Sequence, residues 1–235
     1  DLVRSRGLGD VYKRQILSID ASTQSVYHFS DTDKNISLLD ISETFGTYDG
    51  SFVLYDNNLD SWKIYDLEEA TKRIPPESTY KIYDALLGLE SGIITPEHSS
   101  MTWNGDAFPF PSWEADQDLN SAMQNSVNWY FQAIDSQLGI NRVQEFLNKI
   151  EYGNQTTSSN LDLYWSDFSL KISPLEQVTL LKKFNTNEFH LNSQNVFSVK
   201  NAIKIASTPN GNFYGKTGTG RVNGQDINGL SLIHI

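Results

Sequence analysis

Residues 75–89 read Pro75-Pro76-Glu77-Ser78-Thr79-Tyr80-Lys81-Ile82-Tyr83-Asp84-Ala85-Leu86-Leu87-Gly88-Leu89. The proline pair stops the preceding element, and apolar residues recur at helical spacing after Lys81, which predicts a buried helix that opens at Ser78. Because three residues make about one helical turn, the Ser78 hydroxyl and the Lys81 amine share one face and can exchange a proton. The unpaired N–H groups of the helix N-terminus would stabilise an oxyanion formed beside Ser78.

Three further polar motifs follow this helix along the chain. They are Ser126-Val127-Asn128, Tyr152-Gly153-Asn154 and Lys216-Thr217-Gly218-Thr219. Together with Ser-x-x-Lys they resemble the signature of the β-lactamase and penicillin-binding group, in which the serine is the nucleophile, with Val127 in place of an aspartate. Each motif is common by itself, so the prediction depends on their order and surroundings.

Two of these motifs also have a purely structural interpretation. Ser126 and Asn128 could satisfy backbone donors at a helix-to-loop junction, and residues 152–154 follow an apolar helix pattern that they could simply end. Both interpretations are compatible with the same residues lining a site.

The fourth motif is typical of a strand beside a ligand. Lys216 could be a solvated strand lysine, but Gly215 and Gly218 lie next to it, and small residues let a backbone approach another group closely. A ligand carboxylate held by Lys216, Thr217 and Thr219 fits this pattern better.

The chemistry at the serine needs a base within hydrogen-bond reach, and no histidine is placed for that role, so Lys81 is the candidate. It must be neutral or chemically modified to act. Burial beside Ile82, Leu86 and Trp165 would lower its pKa, and the same pocket could hold a carbamate formed from CO2 on Lys81. The predicted oxyanion hole is formed by the N–H groups of Ser78 and Thr219.

Proton delivery to the leaving group is assigned to a second serine. Ser126 is predicted to relay a proton toward the leaving nitrogen after Ser78 attacks. The residues predicted to be catalytic are therefore Ser78, Lys81, Ser126 and Lys216.

Composition excludes several classes of function. The 235 residues carry a formal net charge of −11, which argues against nucleic acid as a partner because phosphate neutralisation needs clustered Lys and Arg. The absence of cysteine excludes disulfides and thiolate chemistry. The four histidines His28, His98, His190 and His234 have no ligand spacing, so no metal is expected. No apolar run approaches the ~18 to 20 residues of a membrane span, which predicts a soluble domain.

The pattern of elements predicts one compact α/β (α+β) domain, with a mostly antiparallel sheet flanked by helices and a helical lobe, in preference to two small domains that share a cleft. Residues 51–56 and 62–66 alternate around a turn and predict a hairpin. Asn223-Gly224 predicts a second hairpin.

Helix starts are marked by caps. Asp118 is predicted to cap a helix that leads to Ser126, and Ser173-Pro174-Leu175-Glu176 predicts a capping box that opens another helix. A further helix is predicted over residues 193–205, and residues 155–160 are predicted to form an exposed loop.

The two ends differ from the rest of the chain. Residues 1–15 lack periodicity and carry a net positive charge, which is typical of adaptor-derived translation and alternatively of a disordered linker. Residues 231–235 resemble the same read-through and are expected to form a non-native tail. The domain is therefore assigned to residues 16–230, with its last strands and C-terminal helix truncated.

From about residue 36 to residue 230 the chain resembles the β-lactam sensor domain of BlaR/MecR-type receptor proteins, which is similar to class D β-lactamases and penicillin-binding transpeptidases. The runs that carry the resemblance are residues 78–83 (STYKIY), 101–104 (MTWN), 118–120 (DLN), 122–131 (AMQNSVNWYF), 152–154 (YGN), 170–173 (LKIS) and 214–220 (YGKTGTG). Those runs are long, and they cover all four motifs.

The resemblance implies that a β-lactam antibiotic acylates Ser78 and that carboxylated Lys81 is the base. It also implies that Lys81 loses its carboxylate after acylation, which leaves a long-lived adduct that signals. Class D hydrolases usually carry Val at the position of Asn128, whereas the sensors carry Asn, which favours a receptor. The residues then expected to bind the ligand are Asn128, Thr217, Gly218, Thr219, Tyr152, Asn154 and Trp165.

The same resemblance implies a cellular location for the protein. The family's transmembrane helices and metalloprotease are absent from this chain, which fits a fragment from the extracellular face of a bacterial membrane, attached only through a missing N-terminal region. A secreted class D hydrolase remains open, and a peptidoglycan-binding module without catalysis is a distant third interpretation.

Overall fold

The computed structural model describes residues 35–235, so the predictions for residues 1–15 and 16–34 lie outside the described residues. The chain separates into two compact units, whereas the sequence predicts a single one. The first unit consists of the described residues up to Arg73 together with Ser173–Val178, and the second of Ile74–Ile172 and Thr179–Ile235.

Along the described residues, a run of seven α-helices separates three strands from the three strands that follow. In chain order they are β1 (Ile36–Leu38), α1 (Ser42–Phe45), β2 (Phe52–Asp56), β3 (Ser61–Tyr65), α2 (Leu67–Thr71), α3 (Lys81–Glu90), α4 (Leu119–Gln124), α5 (Asn128–Leu138), α6 (Ile140–Ile150), α7 (Pro174–Thr186), α8 (Ser193–Ala202), β4 (Lys204–Thr208), β5 (Gly211–Val222) and β6 (Gln225–His234). The strands form two three-stranded sheets, ordered β1-β3-β2 and β4-β5-β6, in which only the β1–β3 pairing is parallel. The predicted α/β class, with small sheets flanked by helices, is confirmed.

The first unit contains the predicted hairpin of β2 and β3. These strands pair antiparallel from Phe52 opposite Tyr65 to Asp56 opposite Ser61. The Asp56 carboxylate accepts hydrogen bonds from the N–H groups of Asn58 and Leu59, which closes the turn locally.

Helix α7 begins with the predicted capping box. The N–H and hydroxyl of Ser173 each donate to Glu176 Oε2 over 2.9 Å, and the Glu176 N–H donates back to Ser173 Oγ over 3.3 Å. Arg73 also donates to Glu176, with a shortest N–O distance of 2.6 Å. The first turn of α7 is therefore held by Ser173, which is close in sequence, and by Arg73, which is distant in sequence but close in space.

The second unit is built around α3. The helix begins at Lys81, because Glu77–Tyr80 form a 3₁₀ turn, so Ser78 lies one tight turn before the α-helix that the sequence predicts to open there. Every residue of α3 up to Leu89 is buried. A helix that is buried on all sides is a central element of its unit.

Helix α4 and helix α5 meet at Ser126, as predicted. Asp118 accepts a hydrogen bond from the Ser121 N–H, and the Ser121 hydroxyl accepts one from the Asp118 N–H, which forms a capping box at the start of α4. Ser126 has φ 56°, so the chain turns sharply before Asn128 opens α5.

The second sheet contains the hairpin predicted at Asn223-Gly224. Both residues have positive φ, 51° and 78°, the pattern that a two-residue type I′ turn requires. Residues 231–235, predicted to be a tail outside the fold, continue β6 to His234, with Leu232 buried opposite Lys216.

One strand of this sheet differs from prediction. Helix α8 ends at Ala202 instead of residue 205, and Lys204–Thr208 form β4, which pairs with β5 through Ala206 and Phe213. Ile205 is 68% exposed. The helical pattern therefore ends where pairing with a neighbouring strand satisfies the backbone.

The loop that follows α6 is fixed by close backbone contact at Gly153. This residue has φ +51°, and a Cβ atom there would lie 2.0 Å from the Lys171 carbonyl oxygen. The Asn154 N–H donates to the same oxygen over 2.9 Å.

Residues 35–235 contain no helix that is both long and apolar enough to span a bilayer.

We expect Gly153→Ala to lower the free energy of unfolding by about 2 kcal/mol or more, because it adds left-handed backbone strain to a clash with a fixed carbonyl. Gly92→Ala is the matched control: Gly92 has φ +71° but no atom within 4 Å of its Cβ position, so strain alone acts there. Urea unfolding of both variants measures the difference. Equal losses would show that the Lys171 contact carries no cost.

Candidate active site

The predicted nucleophile and base are in direct contact. Lys81 Nζ donates a hydrogen bond to Ser78 Oγ over 2.7 Å, across the junction between the 3₁₀ turn and α3. Lys81 is completely buried. A hydroxyl and an amine at this separation can exchange a proton.

A second polar partner of Lys81 comes from α5. Lys81 Nζ also donates to Asn128 Oδ1 over 2.7 Å, so the amine lies between the serine and the asparagine. The rings of Phe131 and Trp165 lie 5.7 Å from Nζ, measured to each centroid. Trp165 thus borders the lysine pocket as predicted by the sequence, whereas Phe131 was missed; its position one turn after Asn128 on the same helix is the signal that could have found it.

Burial is the main influence on the pKa of Lys81. Burial and, to a smaller degree, the charge of Lys216 lower the pKa of Lys81 to about 7, against the opposing effect of the carboxyl groups of Asp84 and Glu77. Near neutral pH the amine can therefore lose its proton and act as a base.

Ser126 and Lys216 form a second hydroxyl–amine pair. Lys216 Nζ donates to Ser126 Oγ over 2.8 Å and to the Thr217 carbonyl over 2.9 Å, which joins the α4–α5 junction to β5. Burial lowers the pKa of Lys216 to about 8. The structure thus brings together two of the predicted motifs that are far apart in sequence.

Strand β5 passes against the 3₁₀ turn through its glycines. A Cβ atom on Gly218 would lie 3.2 Å from the Ser78 nitrogen, and one on Gly220 would lie 2.6 Å from Glu77 Oε1. The Ser78 N–H has no backbone acceptor among the described residues. This N–H is therefore available to an oxyanion, as the predicted oxyanion hole requires.

The two threonines of this strand are placed differently from Lys216. Strand alternation leaves Thr217 and Thr219 exposed, while Lys216 and Gly218 are buried. A cavity of about 430 Å³ borders Lys216 and Thr217, but Ser78 does not line it. Binding of a ligand carboxylate by the threonine hydroxyls stays a prediction.

Tyr152 and Asn154 support the site from behind. Tyr152 is fully buried, and its ring packs edge-on against Tyr80 at 5.2 Å between centroids. Asn154 Nδ2 donates to the Ser169 carbonyl over 2.7 Å, and Asn154 Oδ1 accepts from the Lys171 N–H over 2.9 Å. These contacts place both residues in the framework of the site, and ligand binding by either stays a prediction.

Glu77 is a site residue that sequence reasoning missed. Its side chain is buried, its φ is +50°, and its N–H donates to the Trp165 carbonyl over 3.1 Å. Burial raises its pKa to about 7, and the charge of Lys81 opposes that rise. A charged residue between a proline pair and the nucleophile is the signal that could have found it.

The described residues offer no metal centre, since residues 35–235 contain no group of three or more His, Cys, Asp or Glu side chains that could hold an ion. The groups that the site presents are serine hydroxyls, lysine amines and backbone N–H groups. Those groups suit acyl transfer through a serine ester.

Comparison with known proteins gives consistent relatives. The family model of the penicillin binding protein transpeptidase domain matches residues 42–232. Regulatory protein BlaR1 of Bacillus licheniformis is 46% identical over 193 residues, which cover 81% of this chain and 32% of that protein. Probable beta-lactamase YbxI of Bacillus subtilis is 35% identical over 79% of this chain and 69% of its own length.

A solved structure agrees with these sequence matches. The C-terminal domain of the Bacillus licheniformis BlaR penicillin-receptor superposes with a TM-score of 0.78 and 45% identity, covering 81% of this chain and 78% of that one. The present chain spans about a third of the length of the curated regulatory relatives it matches.

We expect Gly218→Ala to slow phosphonylation of Ser78 by a fluorophosphonate probe about 10-fold, because the added methyl pushes β5 away from the Ser78 nitrogen. Gly229→Ala is the control, since its Cβ position on β6 has no atom within 4 Å. Gel-based labelling rates measure both. Equal rates would show that close approach of β5 is not needed for reactivity.

Proposed function

Since the chain belongs to the penicillin binding protein transpeptidase domain family, we propose that it is a β-lactam sensor domain, acylated on Ser78 and slow to release the acyl group. Relatives named as BlaR1 or mecR1 proteins are more identical to it than the relative named as a probable β-lactamase. The observation that carries the proposal is the position of Lys81 Nζ, 2.7 Å from Ser78 Oγ and 2.7 Å from Asn128 Oδ1.

Acylation begins with proton transfer from Ser78 to neutral Lys81. The serine oxygen attacks the lactam carbonyl carbon, and the resulting oxyanion accepts hydrogen bonds from the N–H groups of Ser78 and Thr219. Ser126 gives its proton to the lactam nitrogen as the carbon–nitrogen bond breaks, and takes a proton in turn from the Lys216 ammonium that donates to it. The product is an ester of Ser78 with an opened lactam ring.

Retention of the ester follows from the second partner of the lysine. Release of the acyl group needs a base to activate water, and Lys81 is the only amine in contact with Ser78 among the described residues. After acylation the Ser78 oxygen is esterified, and the amide of Asn128 holds the lysine by a hydrogen bond. A lysine held in this way is a poor activator of water, so the adduct persists.

A carbamate on Lys81 fits the same pocket. Only the neutral amine reacts with CO2, and burial lowers the pKa of Lys81 to about 7. Phe131 and Trp165 would cover the group, and it would supply a carbamate oxygen as general base when present.

We further propose that the domain is part of a receptor at the extracellular face of a bacterial membrane and that acylation signals induction of antibiotic resistance. The regulatory names of the first relatives support this assignment. The anchor and the signalling output would lie in the roughly two thirds of those proteins that this chain does not match.

A class D β-lactamase is the second candidate. YbxI is named as a probable β-lactamase and matches most of its own length, which supports hydrolysis. The two candidates share acylation and differ in the lifetime of the ester. That lifetime is what the experiment must measure.

We expect benzylpenicillin to add its full mass to the chain within minutes, and we expect the adduct to persist for hours. Intact-mass spectrometry over time measures both. Ser78→Ala should abolish the adduct because it removes the nucleophile. Ser198→Ala, at a partly exposed serine of α8, is the control and should label fully. A transient adduct with turnover would favour the hydrolase, and no adduct would favour a module without catalysis.

Asn128→Val should shorten the adduct lifetime about 10-fold or more while changing the acylation rate less. The substitution removes the hydrogen bond that holds Lys81 and leaves an apolar neighbour that favours a neutral or carbamylated lysine. Adduct decay at saturating bicarbonate, followed by mass, measures this.

Asn195→Val is the matched control for that change. Asn195 is also buried and donates to Glu90 over 2.7 Å, away from Lys81. We expect it to lower the melting temperature without altering adduct lifetime. If both variants decay as slowly as the parent, Asn128 is a structural amide only.

A further inference from the structure

One face of α5 makes more contacts than the mechanism above uses. Asn128, Phe131, Gln132 and Asp135 follow each other at positions i, i+3, i+4 and i+7 of the helix, so their side chains lie on one stripe. The first two lie beside the catalytic lysine. The other two have no part in acylation, and both bind the turn formed by residues 161–166.

Two hydrogen bonds join the stripe to the 161–166 turn. Gln132 Nε2 donates to the Asp162 carbonyl over 2.8 Å, and the Tyr164 hydroxyl donates to Asp135 Oδ1 over 3.3 Å. The two bonds hold residues that lie three positions and one position before Trp165. The turn is therefore fixed to the same helix that holds the lysine through Asn128.

The 161–166 turn carries one of the two rings that cover Lys81. The centroid of the Trp165 ring lies 5.7 Å from Lys81 Nζ, and the side chain of Trp165 is buried. The Trp165 carbonyl accepts a hydrogen bond from the Glu77 N–H over 3.1 Å, which attaches this residue to the 3₁₀ turn. The residues before it are attached to α5 through Gln132 and Tyr164, so the ring is held from two sides.

We propose that Gln132 is a positioning residue, which keeps Trp165 over Lys81 by holding the Asp162 carbonyl and so keeps water away from the base. The inference deepens the proposed function and rests on the acylation of Ser78 with Lys81 as base. Water that reaches the amine stabilises the ammonium form. Loss of the ring cover should therefore raise the pKa of Lys81 and leave less of the neutral amine at neutral pH.

The charges around the lysine stay the same when Gln132 is replaced by a neutral residue. The titratable groups that act on Lys81, or that belong to the elements packed against it, are Asp84, Glu77, Lys216, Asp135, Asp162 and Tyr164. Substitution of Gln132 by methionine or asparagine adds and removes no charge. A shift in the titration of Lys81 then reports on its exposure to water.

The test uses Gln132→Met and Gln132→Asn in the 235-residue chain. Methionine keeps the length of the side chain without its donor, and asparagine keeps the amide but is one methylene shorter. The rate of Ser78 phosphonylation by a fluorophosphonate is measured against pH, and the parent rate should rise through about pH 7, the pKa that burial gives Lys81. Both variants should move this midpoint up by about 0.5 pH unit or more, because water then reaches the amine.

Gln137→Met is the matched control. Gln137 lies on the same helix, and its Nε2 donates to the Ala133 carbonyl over 3.2 Å, within α5 itself. Gln132 is partly exposed, so neither of its substitutions removes core packing. The control should keep the parent midpoint. Equal shifts in Gln132→Met and Gln137→Met, or no shift in either Gln132 variant, would overturn the inference.

A spectroscopic measurement follows Trp165 directly. In the chain labelled with 5-fluorotryptophan, the ¹⁹F signal of Trp165 is identified among the five tryptophans by its absence from Trp165→Phe. This signal should be insensitive to exchange of H2O for D2O in the parent and in Gln137→Met, and sensitive in both Gln132 variants. A signal that stays protected from solvent in the Gln132 variants would show that Gln132 does not position Trp165.

Failure of the inference can be told apart from failure of the proposed function. A parent that reacts with the fluorophosphonate but quickly hydrolyses benzylpenicillin would contradict the sensor function, and the comparison of Gln132 with Gln137 would still decide the inference. A parent that reacts with neither reagent would contradict the role of Ser78 and the inference with it.

Discussion

The removal of the Lys81 amine from water constrains the whole site, because burial penalises the ammonium far more than the neutral amine. The 3₁₀ turn, α3 and α5 each supply one polar partner or charge that meets this penalty, namely Ser78, Asp84 and Asn128. The same burial that makes the lysine a competent base near neutral pH makes it sensitive to each neighbour. The buried Lys81 can therefore act either as an amine that takes up a proton or as an ammonium that keeps one.

Close backbone packing makes that burial possible. Gly218 and Gly220 let β5 pass against the 3₁₀ turn, where side chains larger than hydrogen would meet the Ser78 nitrogen or the Glu77 carboxyl. Gly153 plays the corresponding part behind the site, against the Lys171 carbonyl. These contacts exclude water from Lys81, and the exclusion of water strengthens the electrostatic interactions between Lys81 and the charged groups around it.

The difference between a sensor and a hydrolase depends on few atoms in such a site. Both activities need the same nucleophile, base and oxyanion donors, and both occur among proteins similar to this chain. What separates them is whether the base is free to activate water after the ester forms. In the proposed mechanism the amide of Asn128 acts on that single step, which the overall fold leaves undetermined.

Local sequence determined the features whose causes are local. The Ser78–Lys81 spacing, the capping boxes at Asp118 and Ser173 and the turn at Asn223-Gly224 each depend on residues within one turn of each other, and the structure contains all of them. The family resemblance was equally readable, because it rests on contiguous motifs.

Tertiary structure alone decided the contacts between segments far apart in the chain. Lys81 meets Asn128 across 47 positions, and the cover from Phe131 and the strand β4 arise from how helices and strands pack. Periodicity shows which face of an element is buried but leaves open which partner it meets, since many partners would bury the same apolar area. The electrostatics of the site therefore became visible only in three dimensions.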